Sequence, residues 1–361
     1  LLVDTGSADL VLNSGRYQRS SSSIQLNRTF DITYGTTEGT TPGDSSATIT
    51  GVLYKDTVTY SSLIVNAQTT GAVISNASDS SDVYPHDGII GLGAQIFSGS
   101  NSTLFFHNLC DQNLISECRF GLALEGDGTG TLTFGAIGNA LQGGEQSLTR
   151  VPIIEEWFVG GDLAVNGSVI QRDLVVEFDS GTSGIIGPID AVSTLFEMVG
   201  IQGVLQPSAS GDVLVGYFPC GTPSAVGLSL PSKSNISATM GLSGFSDTSK
   251  VFNVLADAMS AGPVDADGKN CTFAISGFDV VELPGLWVFG QAFSQGKYMD
   301  HNFAAGSLGL AELNSTSQVA SNASVPSASK PMITSTASYG REIQSFIFEG
   351  IAIAASLLLL A

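Results

Sequence analysis

Two segments of the chain place an acidic side chain, a hydroxyl and a glycine in the same order. One is Leu1-Leu2-Val3-Asp4-Thr5-Gly6-Ser7; the other is Val175-Val176-Glu177-Phe178-Asp179-Ser180-Gly181-Thr182-Ser183. Each reads as an apolar strand running into an aspartate, then a hydroxyl residue, glycine and a second hydroxyl residue. A lone Asp-Thr-Gly caps many ordinary strands, so the weight lies in the doubling. Two aspartates held at hydrogen-bond distance cannot both ionise cheaply, and the pair keeps one proton over a wide pH range. The ionised member is then a base for a bridging water and the protonated member an acid for a carbonyl. Water attacks directly and no covalent intermediate forms. Gly6 and Gly181 let backbones approach closely, the hydroxyls of Thr5 and Ser180 are placed to lock the two loops together, and Ser7 and Thr182 to orient the carboxylates from outside.

The elements that must position this pair are strands. Each aspartate motif has a later apolar–Gly partner, Gly88-Ile89-Ile90-Gly91-Leu92 for the first and Leu286-Trp287-Val288-Phe289-Gly290 for the second. Two apolar residues followed by glycine suggest a strand packed against another backbone. The pattern occurs twice, which implies two similar lobes with a cleft between them. Further β-type runs are Phe30–Tyr34, Thr48–Tyr60, Gly130–Phe134, Val151–Ile154 and Leu174–Phe178. Helices are expected over Thr103–Asn113, Ala191–Val199 and Lys250–Ser260. With 43 glycines and only 13% charged residues among 361, the composition suits an all-β protein with many tight turns.

These motifs together resemble the pepsin-type aspartic peptidases, and the likeness runs from Leu1 to about Leu313. The resemblance implies a bilobal all-β fold, with residues 1–150 and 151–313 as β-barrel-like lobes, and an endopeptidase that cleaves in acid with Asp4 and Asp179 as its catalytic pair. It makes Phe30–Thr36 a hairpin flap over the substrate, with the Tyr34 ring and the backbone of Gly35 and Thr36 touching the peptide. One departure stands out: the family's first motif continues to a tryptophan that supports the flap, and Val11 occupies that place here. A silent binding protein of the same fold is the alternative function. A glycosidase is a third reading, disfavoured because its two acids are not expected on matching Asp-x-Gly loops.

Other chemistries fit less well. The formal net charge of −20 and the lack of a basic stretch argue against nucleic-acid binding. His86, His107 and His301 do not form an HExxH motif, and no Gly-x-Ser-x-Gly elbow occurs, so neither a metal nor another cofactor is expected. Asp9, Asp87 and Asp300 read as turn or surface carboxylates. A peptide or protein is the expected partner, and the enzyme is expected to be a monomer.

Cys110, Cys118, Cys220 and Cys271 allow three pairings. Cys110–Cys118 would close a short loop and Cys220–Cys271 a longer one, and the latter two stand where the family's second-lobe disulfide would be. Eight Asn-x-Ser/Thr sequons, at Asn27, Asn76, Asn101, Asn166, Asn235, Asn270, Asn314 and Asn322, point to a glycosylated secretory-pathway protein. Residues 314–342 read as a Ser/Thr-rich stalk, and 343–361 as a short apolar tail after small residues near Ser335–Gly340. That layout resembles a GPI-attachment signal at a cell surface, a transmembrane anchor being the alternative. The opening Leu-Leu-Val already reads as a buried strand, so the chain is expected to lack a leading segment.

Overall fold

The computed structural model describes residues 1–34, 47–76, 87–126, 129–155, 157–208, 211–221, 224–231, 249–280 and 283–313. The first sheet holds β1 (Leu2–Asp4), β2 (Leu10–Leu12), β3 (Ile24–Tyr34), β4 (Ala47–Tyr60), β5 (Leu63–Asn76) and β6 (Gly88–Gly91), in the spatial order β1-β6-β2-β5-β4-β3. The remaining strands are β7 (Arg119–Leu124), β8 (Gly130–Phe134), β9 (Thr149–Glu155), β10 (Phe158–Val165), β11 (Ser168–Phe178), β12 (Ile185–Gly187), β13 (Gln202–Ser208), β14 (Gly211–Pro219), β15 (Val226–Leu230), β16 (Lys250–Asn253), β17 (Ser260–Pro263), β18 (Asn270–Gly277), β19 (Leu286–Phe289), β20 (Lys297–Asn302) and β21 (Ser307–Glu312). They join in the order β13-β14-β18-β12-β19-β11-β10-β9-β21-β20-β7-β8, with β15–β17 at its sides. All five expected β runs lie in strands.

Helices are few and short, and each follows its apolar spacing. In α1 (Phe105–Asp111) the buried side chains are Phe105, Phe106 and Leu109. In α2 (Ile189–Val199) they are Val192, Leu195 and Phe196, the i, i+3, i+4 stripe of an amphipathic helix, and the helix stops at left-handed Gly200. The helix expected over Lys250–Ser260 does not form. Residues 250–253 are β16, paired with β15 so that Phe252 lies buried opposite Leu228, and a 3-10 turn follows at Ala256–Met259. Pairing along the edge of an existing sheet satisfies the backbone and outweighs a weak helical pattern.

Both disulfides form as Cys110–Cys118 and Cys220–Cys271. The first ties the last turn of α1 to the chain leading into β7, and the second joins the neighbouring strands β14 and β18. Two of the three carboxylates expected at turns or the surface are instead buried. Asp300 on β20 accepts from Arg119 Nε at 3.0 Å and from Arg150 at 3.2 Å, and Asp9 accepts from the hydroxyls of Ser98 at 2.9 Å and Ser100 at 2.5 Å. Their partners come from distant segments, which local sequence does not reveal. Asp87 is exposed beside Arg16, as expected.

The core contains one titratable ring without a polar partner among the described residues. His301 is fully buried, stacked on Phe120 at 4.3 Å and edge-on to Trp157 at 4.9 Å. Burial pushes its pKa down to about 3, from an ordinary value of about 6.5. The folded ring therefore stays neutral while the unfolded chain takes up a proton, so its contribution is intact above the ordinary value and is lost as pH falls toward 3. A His301→Phe variant keeps the stacking and removes that loss. Its melting temperature should fall by several degrees less than that of the parent between near-neutral and strongly acidic pH; parallel scans check this.

Candidate active site

Each aspartate stands at the end of a strand that pairs in parallel with its apolar–Gly partner. In the first half Val3 lies opposite Ile90 and Asp4 opposite Gly91; in the second Glu177 lies opposite Val288 and Phe178 opposite Phe289. The next strand returns antiparallel on the other side of the same partner, β2 on β6 and β12 on β19. The same three-strand arrangement is thus built twice. The closing glycines are needed for close approach: a Cβ on Gly91 would sit 2.7 Å from the Ala8 carbonyl oxygen, and one on Gly290 2.7 Å from the Thr182 carbonyl carbon.

The two loops face each other and are cross-linked by hydrogen bonds. Thr5 N–H donates to Ser180 Oγ at 3.1 Å, and Ser180 N–H donates to Thr5 Oγ1 at 2.9 Å. The Thr5 hydroxyl donates to the Phe178 carbonyl at 2.7 Å, and the Ser180 hydroxyl to the Val3 carbonyl at 2.8 Å. All of these groups are buried or nearly so, and the lock expected from the two hydroxyls is in place.

The carboxylates are held in matching ways. Asp4 accepts from Gly6 N–H at 2.9 Å and from the Ser7 hydroxyl at 2.5 Å. Asp179 accepts from Gly181 N–H at 2.7 Å and from the Thr182 hydroxyl at 2.6 Å. Each carboxylate also lies over the glycine of the opposite loop. A Cβ on Gly6 would stand 2.5 Å from Asp179 Oδ1, and one on Gly181 2.5 Å from Asp4 Oδ1. The Cβ position on Gly181 also lies 3.1 Å from Asp179 Oδ1, so the two carboxyls are close neighbours, and both are buried. Burial first, and the neighbouring Asp4 second, push Asp179 well above the usual carboxylate range, while the bonds from Thr182 and Gly181 pull the other way. A pair of this kind holds a proton at a pH where isolated carboxylates have lost theirs.

The β3–β4 pairing sets the backbone of Tyr34 opposite Ala47. Gly35 and Thr36 lie outside the described residues. Val11, at the family's tryptophan position, is packed with Phe30, Ile49, Leu53, Val73 and Ile89, and the Phe30 ring fills the space over Gly51 and Gly71.

Three residues near the site escaped the sequence reading. Trp157 Nε1–H donates at 2.7 Å to the Leu92 carbonyl, and Leu92 N–H donates at 2.7 Å to the Asp4 carbonyl, so a residue of the second half braces the first loop. Gln291 Nε2 donates at 2.8 Å to the Ser180 carbonyl and braces the second. Glu177 is buried near the end of β11, two residues before Asp179. Only Glu177 left a signal, as a charge in an apolar strand.

Comparison with known proteins agrees with this geometry. The family model described as eukaryotic aspartyl protease matches residues 1–313. An aspartic protease of Phaffia rhodozyma is 29% identical over 86% of this chain and 72% of its own length. Pepsin A of Bos taurus is 30% identical over 60% of this chain and 59% of its own. The crystal structure of the aspartic proteinase from Irpex lacteus superposes with a TM-score of 0.65 at 21% identity, covering 88% of this chain and 91% of that one, which gives the bilobal fold. With two Asp-hydroxyl-Gly loops locked face to face and a family match across both, the chain belongs to the eukaryotic aspartyl proteases.

Proposed function

We propose that this chain is an endopeptidase that hydrolyses peptide bonds in acid through a water held between Asp4 and Asp179. The observation that carries this reading is the matched seating of the two carboxylates, each fixed by a glycine N–H and a hydroxyl and each packed over the other's loop. The ionised carboxylate takes a proton from water while the oxygen attacks the scissile carbonyl carbon, and the protonated carboxyl gives its proton to the carbonyl oxygen. The proton taken from water then passes to the leaving nitrogen, a hydroxyl of the tetrahedral carbon gives its proton back to the other carboxylate as the C–N bond breaks, and the pair returns to its single-proton state. Thr5 and Ser180 keep the two loops in register, and Ser7 and Thr182 keep the carboxylates turned toward each other.

The substrate lies in the cleft between an N-terminal lobe, residues 1–150, and a C-terminal lobe, residues 151–313. The β3–β4 hairpin closes over it, with Tyr34 walling off water and Gly35 and Thr36 offering backbone contacts. The chain works as a glycosylated monomer of the secretory pathway. Two disulfides suit an oxidising compartment, and Asn27, Asn101, Asn166 and Asn270 are exposed acceptors. Asn76, whose side chain is not described, and Asn235, Asn314 and Asn322, outside the described residues, complete the set. The tail at 343–361, also outside them, is the feature that favours a GPI anchor.

Cleavage of an unfolded protein by the chain, assayed at acidic and neutral pH, tests the activity. Cutting confined to acid supports the reading. A folded chain that binds peptide and cuts nothing would favour the silent binding protein.

A further inference from the structure

Glu177 plays no part in the mechanism above, yet it is 1% exposed, two residues before Asp179. Strand side chains alternate, so Val175 and Glu177 share one face of β11, and Leu174, Val176 and Phe178 point the other way into the core. On that shared face Glu177 lies opposite Phe158 of β10 and Val288 of β19. Both neighbours are buried in an apolar cluster that also contains Ala8, the residue after Ser7 of the first loop. Among the described residues Glu177 Oε2 has no hydrogen-bond partner.

The charged groups that act on Glu177 are themselves carboxyls, Asp179 just past the end of its strand and Asp4 on the facing loop; β10 and β19 bring only Phe158 and Val288 opposite it. A carboxylate with a donorless oxygen, an apolar surround and two acidic neighbours is expensive, whereas a neutral acid is tolerated. We propose that Glu177 is a pH-limiting switch beneath the aspartate pair, neutral in acid, where the two loops pack, and ionised toward alkaline pH, where its charge forces them apart. The inference rests on the reading of Asp4 and Asp179 as the working pair. Burial, then Asp179 and Asp4, push Glu177 well above the usual carboxylate range, in the same direction.

The sign follows from linkage. The folded acid keeps its proton where the unfolded chain has lost it, so the fold is at full strength below the ordinary glutamate range. It weakens as pH climbs through neutrality toward the raised folded value. The switch therefore confines the folded enzyme to the acidic conditions in which its aspartate pair holds one charge.

The test incubates the full chain and its Glu177→Gln and Glu177→Leu variants in neutral to mildly alkaline buffer. Residual cleavage is then read in acid, and the fluorescence of the buried Trp157 and Trp287 reports unfolding. The proposal expects both variants to outlast the parent by at least about tenfold, the equivalent of one pKa unit, with decay that no longer quickens as pH rises. Half-lives and pH dependence equal to the parent's would overturn it, and so would a failure of both variants to hold the fold in acid. Fluorescence requires no catalysis, so this outcome stands apart from the reading of the aspartate pair, which fails if the folded parent cuts nothing or if Asp179→Asn still cuts.

Discussion

Asp179→Asn is expected to lower kcat by about 10²–10⁴-fold or more, the range of a positioned acid or base, with little change in KM. The amide can still accept from Gly181 N–H and occupies the same volume, so the loop keeps its shape. It can neither hold the shared proton nor become the base when the roles exchange. Asp4→Asn should behave alike, because Asp4 is seated in the same way by Gly6 and Ser7. The accompanying stability change separates this loss from misfolding. Either variant removes one of two buried carboxyls that repel each other when ionised, so its melting temperature at neutral pH should match or exceed the parent's. Kinetics on a quenched peptide and a thermal scan together check both halves of the expectation.

Gly6→Ala carries the second large effect. Its methyl would enter the space of the Asp179 carboxylate, 2.5 Å from Oδ1 and 2.6 Å from Oδ2. That carboxylate cannot swing away freely, because Gly181 N–H and the Thr182 hydroxyl hold it and burial surrounds it. The loops must therefore part, which strains the bonds from Thr5 and Ser180. Overpacking of this kind costs about 1–3 kcal/mol, and a misplacement of roughly 1 Å at a reacting group costs about 10²-fold in rate. The expected result is a folded but weakened protein whose kcat has fallen at least that far. Gly181→Ala, which meets Asp4 in the same way, should reproduce it. A Gly6→Ala enzyme with parental kcat would show that the two loops do not need this approach.

How much of this was legible in the chain follows from where each determinant resides. The paired loops were legible because every part of them, Asp, hydroxyl, Gly and the apolar–Gly partner, is local and occurs twice. The lock by Thr5 and Ser180 followed once the loops were set face to face. The Lys250–Ser260 segment was misread because its fate depends on β15, a strand some twenty residues earlier that offers Phe252 a buried place opposite Leu228. Asp300 and Asp9 looked like surface acids because the arginines and serines that bury them come from elsewhere. Trp157 gave no warning at all, since its role rests on one indole N–H reaching the Leu92 carbonyl in the other half. Glu177 was visible as an oddity in an apolar strand, but only its burial and its acidic neighbours give that oddity a meaning.

The measurement that bears most directly on the central claim is the acid-pH affinity of a peptide carrying a tetrahedral hydroxyl carbon in place of the scissile carbonyl. Such a group mimics the attacked state and is recognised only where one protonated and one ionised carboxyl converge on it. The account predicts tight binding to the folded chain, at least about a hundredfold tighter than the matching amide peptide, and loss of that advantage in both Asp4→Asn and Asp179→Asn. Equal affinity for the hydroxyl and amide peptides, or an advantage that survives in either variant, would contradict it.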